Sequence, residues 1–336
     1  MVHRDLPNLD LLRSIAVILV IVEHTLLAMH VFRLGSWQVA WVGVVGVFMF
    51  FVHTSLVLMW SLERKPNTLD FYIRRAFRIY PLVWTAILVA IFFHAPTEGS
   101  PTDYFHYLHF TPKSLTAALL LVQNLYGDRN YVSVLWSLPY EVQMYILLPV
   151  LFFFIRKNFT VWYLLVLWAL TVAFCHRAFP SNGHNLATVI PYFLPGVMAY
   201  VGFERNLPRF PAWTFPIFLV ILTFIFMKNP GWFHAWLFCL ALGLGLPYFH
   251  QIRSHRINRA TFRIAQYSFG LYLVHPFSIV LGFYLLAGNS LALRIAVEIF
   301  TLIPISIASY HWLERPMIRI GSRLAARTGK GMAVSD

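Results

Sequence analysis

Three groups of residues in this chain are equipped for chemistry, and the sharpest is a charged pair inside an apolar stretch. Ser14 to Phe32 reads SIAVILVIVEHTLLAMHVF, long enough to cross a bilayer, yet it carries Glu23 and His24. Ionisable groups at that depth are costly and usually face a protein interior or a watery cavity. Helical rise puts His24 about 16 Å above Arg13, near the middle of a hydrocarbon slab of about 30 Å. An imidazole ordinarily titrates near neutrality, which suits it to take the proton from an alcohol. Glu23 is its chain neighbour, so the two side chains diverge by about 100° around the helix and need not touch. The simpler reading is that His24 hydrogen-bonds a neighbouring helix, as polar residues in bundles do. Residue type and spacing leave both readings open.

The second group is Arg74, Arg75 and Arg78, within FYIRRAFRIYP at the expected cytoplasmic mouth of the third span. Arg78 can share a helix face with either of the other two. Guanidinium groups grip phosphates through paired hydrogen bonds, so a phosphate-bearing ligand could dock here from the cytosol. Basic residues in this place also fix topology or touch anionic headgroups, and position alone favours that plainer role. The third group opens the fourth span as Trp136-Ser137-Leu138-Pro139-Tyr140-Glu141-Val142-Gln143-Met144-Tyr145. Ser137 can cap the helix, and Pro139 is tolerated in its first turn. Glu141 then lies near the positive end of the helix dipole, a structural role in itself. With Gln143 it could also hold an acceptor's hydroxyls, and Trp136 could anchor at the interface or stack on a sugar ring. His53 and the pair His275-Pro276 lie mid-span and read as core histidines with hydrogen-bond partners. Glu314-Arg315-Pro316 reads as the end of the last helix.

The composition says what kind of scaffold must position these groups. Of 336 residues, 59% are hydrophobic and only 12% charged, whereas a soluble domain carries about a quarter charged residues. Repeated apolar spans mark an integral membrane protein. The formal net charge of +13 does not point to nucleic acid, because the basic residues gather at the ends of spans.

Hydropathy and breaker residues predict an all-α polytopic bundle with ten crossings, near 13–32, 40–60, 80–95, 135–155, 160–178, 187–203, 212–228, 232–249, 265–287 and 290–312. Ser114 to Tyr126 is apolar but short, closer to a re-entrant or surface helix than to a crossing. Ten crossings with both termini cytoplasmic put most of the 26 lysines and arginines inside. Counting that segment as an eleventh would move Arg156, Lys157 and the later basic loops to the wrong side. The first apolar run is expected to stay as a span rather than be removed as a signal peptide. Residues 1–322 are expected to form one membrane domain and 323–336 a disordered cytoplasmic tail. The longest outer segment, about Ala95 to Val134, holds Asp103, His106, His109, Asp128 and Arg129 and could form part of an external cap. Cys175 and Cys239 have neither disulfide-framework nor metal-site spacing. HExxH, Walker A, dinucleotide and nucleophile-elbow patterns are absent from the sequence.

In this order the elements resemble the acyltransferase-3 family of bacterial membrane enzymes. That family shows an arginine and a histidine ten residues apart in its first span, matched by Arg13 and His24. Its Arg-x-x-Arg at the edge of the third span is matched by Arg75 and Arg78. A WSLSxExxFY-like segment is matched from Trp136 through Glu141 to Tyr145. SxGLYLxHxP-like and ExP-like segments correspond to Ser268 through His275-Pro276 and to Glu314-Arg315-Pro316. The resemblance covers nearly the whole chain. Two departures stand out: Val52-His53-Thr54-Ser55 replaces an LSGF-like stretch, and Val142 replaces a frequent second glutamate.

The resemblance implies transfer of an acyl group, acetyl being the expected one, from cytosolic acyl-CoA (acetyl-CoA) without a metal. The acceptor it implies is a hydroxyl of a cell-surface glycan or lipid-linked saccharide, and the setting the bacterial cytoplasmic membrane. Arg75 and Arg78, helped by Arg74, would hold the CoA phosphates. His24 would deprotonate the acceptor or carry the acyl group, and Arg13 would steady the thioester end or the developing charge. Glu141, Trp136 and Gln143 would orient the acceptor. A permease for a lipid-linked sugar or small anion would use the same buried charges, although the sequence shows no internal repeat of the kind transporters carry.

Overall fold

Long apolar runs broken by asparagine, proline and charged residues fold here almost wholly as helix. A computed structural model of the chain describes residues 6–93, 111–127, 130–155, 160–179 and 185–332. The described helices are α1 (Pro7–Ala28), α2 (Ala40–Arg64), α3 (Thr68–Phe92), α4 (Pro112–Leu119), α5 (Gln123–Tyr126), α6 (Leu138–Ile155), α7 (Val161–Ala178), α8 (Leu186–Phe203), α9 (Thr214–Lys228), α10 (Trp232–Gly245), α11 (His255–Ile279), α12 (Leu291–Ser309) and α13 (Arg315–Met332). Among the described residues the one β ladder is a two-residue hairpin, Arg33–Leu34 against Trp37–Gln38.

Eight helical stretches are long and apolar enough to cross a bilayer, and Thr214–Lys228 and Trp232–Tyr248 are apolar but shorter. These ten stretches coincide with the ten expected crossings, and the chain is a multi-pass membrane protein. Their outer faces agree: Leu88 is 60% and Phe300 77% exposed, an arrangement suited to lipid rather than water. Ser114 to Tyr126 is no crossing. It breaks into α4 and α5, with Leu121 between them at φ 56°. Side chains of α3 cover the free carbonyls at the end of α4: Tyr80 donates to Leu120 O at 3.1 Å and Trp84 Nε1 to Leu119 O at 2.8 Å.

The chain divides into two compact units, with both borders of each falling partly inside helices. The first comprises residues 1–23, 32–60 and 143–268, and the second residues 24–31, 61–142 and 269–336. In the first unit, proline and glycine decide how helices meet. Pro191 and Pro195 lie inside α8, and each deprives the carbonyl four residues earlier of its helical donor. Neighbouring α7 makes good both losses: Cys175 Sγ donates to Ala187 O at 3.2 Å and Trp168 Nε1 to Pro191 O at 3.0 Å. Close approach does the rest. A Cβ at Gly196 would overlap Ser55 Oγ and the Val52 carbonyl, and one at Gly46 would run into the Ala16 carbonyl. Ser14 adds a polar tie, its hydroxyl lying 2.9 Å from Thr261 O of α11.

In the second unit α3 packs along α13, where a Cβ at Gly321 would lie 2.5 Å from Phe77 Cβ. Asn67 caps α3 by accepting from Asp70 N at 3.0 Å. Two helix ends continue through π-helical turns, Val280–Tyr284 after α11 and Tyr310–Glu314 after α12. The second turn corrects the expectation that Glu314-Arg315-Pro316 ends the last helix. Pro316 sits in the first turn of α13, where its missing N–H costs nothing, and the chain stays helical to Met332. Most of the expected tail 323–336 is thus α13. Residues 333–336, Arg156 and Lys157 lie outside the described residues, as do Asp103, His106, His109, Asp128 and Arg129 of the outer segment.

Candidate active site

One and a half turns of α11, from Phe269 to His275, gather most of the residues singled out by type and spacing, all of them within the second unit. At the Phe269 end stands Arg78 of α3, its guanidinium carbon 5.8 Å from the Phe269 ring centroid. Arg78 Nη1 also lies 3.5 Å from Glu314 Oε2, in the wide turn Tyr310–Glu314. Glu314 is buried. Gly270 makes room for that turn, since a Cβ there would lie 2.8 Å from Ser309 Oγ and 3.3 Å from Glu314 Oε1. At 3.5 Å the pair is longer than a charge-assisted hydrogen bond, so the fork of Arg78 keeps donors for an anion. Arg74 is likewise 3.5 Å from Asp70, and its Nη2 is buried without a hydrogen-bond partner. Arg75 lies with its guanidinium 5.9 Å from the Phe71 ring centroid. Three guanidinium groups face two carboxylates, which leaves a net cation suited to phosphate.

One turn further along α11, Tyr272 ties the helix to the segment that opens α6. Its hydroxyl donates to Val134 O at 2.8 Å, and the Ser137 hydroxyl lies 2.8 Å from the same oxygen. A phenol has one proton, so Ser137 is the donor in the second bond. The Ser137 side chain therefore serves this cross-link rather than the expected helix cap. Trp136 and Glu141 flank it, both half-buried, with Glu141 in the first turn of α6. The third motif is thereby anchored to the helix that carries His275.

At the far end His275 meets His24. Their ring centroids are 4.9 Å apart at 77°, edge toward face. His24 is half-buried, while His275 is fully enclosed. The next residue of α1, Thr25, donates to Glu298 Oε1 of α12 at 2.6 Å, and Glu298 is only 2% exposed. Gly282, in the first π-helical turn, lets α12 come close, since a Cβ there would lie 3.3 Å from Glu298 Cβ. Glu298 escaped the sequence reading, although a lone carboxylate in an apolar span is the same signal that marked Glu23. Glu314 and Tyr272 sit inside motifs the sequence did flag, with their contacts unforeseen.

The remaining candidates belong to the first unit. Arg13 shares α1 with His24 and is half-buried; Gln143 and His53 are buried. Glu23 lies against Gly43, where a Cβ would fall 2.5 Å from its Oε2. Glu23 and His24 thus diverge around the helix, as their adjacency requires.

Residues 6–311 match the family model described as an acyltransferase domain, acyltransferase-3. The chain belongs to that family. A curated relative of this acyltransferase-3 member is nodulation protein 10 of Rhizobium leguminosarum bv. viciae, 29% identical over 164 residues. The match covers 44% of this chain and 44% of that protein, so the chain spans less than half the length of the curated relative it matches. No solved structure matches.

Proposed function

We propose that this acyltransferase-3 member is an O-acyltransferase of the bacterial cytoplasmic membrane, with both termini in the cytosol. It takes an acyl group, acetyl in the first instance, from acyl-CoA and passes it to a hydroxyl of a cell-surface glycan or a lipid-linked saccharide. The observation that carries this reading is that Arg78 and His24 touch the same short stretch of α11, about 9 Å apart along its axis. A guanidinium cluster suited to the donor's phosphates and an imidazole suited to the acceptor's proton thereby share one support.

The roles follow from chemistry. Arg75 and Arg78, with Arg74, hold the phosphates of acyl-CoA through the donors their carboxylate partners leave unused. His24 takes the proton of the acceptor alcohol as its oxygen bonds to the thioester carbonyl carbon. The carbon–sulfur bond then breaks, and the leaving thiolate takes the proton back from the imidazolium. Arg13 steadies the charge that develops on the thioester oxygen. Glu141 and Gln143 orient the acceptor's hydroxyls, and Trp136 offers a flat face to a sugar ring.

The test is transfer of label from [14C]acetyl-CoA in proteoliposomes prepared with the producing cell's own lipid extract. The wild type is expected to release free CoA and to leave ester-linked label in the extract. His24→Ala is expected to reduce that about a thousandfold. Equal labelling by the variant would remove His24 from the chemistry. Labelling absent from wild type and variant alike would overturn acyl transfer as the function.

A further inference from the structure

His275 is fully buried and touches no charged partner, yet it carries more information than a filled core position. Its Nδ1 lies 3.1 Å from Leu271 O, one turn back along α11. It also reaches the Tyr272 carbonyl, whose helical donor is missing because residue 276 is proline. Carbonyl oxygens only accept, so Nδ1 holds the ring proton and Nε2 presents a bare lone pair. That Nε2 is buried and has no hydrogen-bond partner. A polar atom enclosed without a partner is costly, and native proteins keep one where another state of the molecule supplies what is missing. What is missing here must be a donor.

The neighbour that can supply one is His24. Two imidazoles joined by an N–H···N bond have centroids roughly 5 Å apart, close to the 4.9 Å observed. Catalytic hydrogen bonds are often open in the resting state and close when charge appears. Glu23 lies with Gly43 in the first unit, and Glu298 already accepts from Thr25, so neither provides His24 with the carboxylate that usually orients a catalytic imidazole.

We propose that His275 is the positioning residue of the transfer reaction, its bare Nε2 accepting an N–H from the far side of His24 as His24 becomes an imidazolium. The inference rests on the role of His24 given above. When the alcohol's O–H bond breaks and a new N–H forms on His24, the ring carries a proton on both nitrogens. The one turned away from substrate is held by His275, and no proton passes to His275. As the thiolate of CoA departs it reclaims the substrate-side proton, and the resting pair is restored. A neutral acceptor does this without placing a second buried charge in the membrane.

Two variants at position 275 separate this from a packing role, because the two readings order them oppositely. An enclosed packing site favours apolar His275→Leu over polar His275→Gln. A positioning role favours glutamine, whose amide oxygen can accept the N–H. With [14C]acetyl-CoA in proteoliposomes, His275→Leu is expected to lower kcat about a hundredfold with KM for acetyl-CoA within about twofold. His275→Gln is expected to recover at least about tenfold of that loss. In a His24→Gln background, His275→Leu is expected to change nothing further. Leucine as active as wild type, or better than glutamine, would overturn the inference while leaving the His24 reading intact. A His24→Gln enzyme as active as wild type would instead overturn that reading, and this inference with it. Independent of turnover, solid-state 15N spectra of histidine-labelled protein are expected to show the His275 Nε2 unprotonated and shifted by His24→Leu. A proton on Nε2, or no response to that change, would also overturn the proposal.

Discussion

The two units of this membrane enzyme are held together by different means. In the first, helices meet through missing atoms: Gly46 against Ala16, Gly196 against Ser55 and Val52, and two prolines whose orphaned carbonyls are satisfied by Cys175 and Trp168. In the second, helices meet through polar side chains strung along α11, from Arg78 and Glu314 through Tyr272 and Ser137 to His275 and His24. Lipid gives apolar helices little reason to prefer one another over the acyl chains. Close backbone contact is one remedy and buried polarity is the other. The first tolerates little change of shape; the second places groups that can do chemistry.

Variants can break or sharpen that contrast. The largest effect expected there is on folding: Gly196→Val in the first unit drives a side chain into Ser55 and Val52 and should destabilise by about 3 kcal/mol. Thermal unfolding in detergent would measure it, and the fraction that stays folded should transfer label normally. Unchanged unfolding would show that the tight approach is not structural. Arg13→Gln is the variant that could dissolve the contrast, since Arg13 belongs to the first unit yet is assigned to the chemistry. A fall in kcat on the order of a hundredfold with unchanged unfolding would make the first unit a partner in catalysis. A fall in stability with unchanged kcat would return it to the frame. The smallest effect is expected for Arg78→Gln, about tenfold in KM for acetyl-CoA with kcat nearly kept. It is read by titrating the donor in the proteoliposome assay, and a loss of kcat alone would reassign Arg78.

The sequence already revealed a good deal of this. Apolar periods and breakers located all ten membrane stretches, and the short length of Ser114 to Tyr126 kept it from being counted as another. Arg78, Tyr272 and His275 were flagged as members of motifs, because each motif is local. Their meeting on one helix was not legible, since nothing in the order of residues says that Ser137 will reach Tyr272 or Arg78 will reach Glu314. Glu314 shows the limit well. Followed by Arg315 and Pro316, it looks like a helix terminus, but proline is at ease in a helix's first turn, and the chain carries on through a wide turn instead. Glu298 was visible as a charge in an apolar run and went unweighed; its bond to Thr25 needed the fold.

Those wide turns have a consequence for how this gene can change. In each, the N–H after the turn reaches back five residues, from Leu285 to Val280 O and from Arg315 to Tyr310 O, so each loop of backbone holds one residue more than an ordinary turn. Losing a single codon there would heal the helix into a regular spiral and leave its hydrophobic length almost untouched. Everything beyond it would swing by about 100°. A deletion between Tyr310 and Glu314 would therefore yield a protein that inserts normally but points the face of α13 away from α3, and such an allele would look intact in every assay of expression while failing in function.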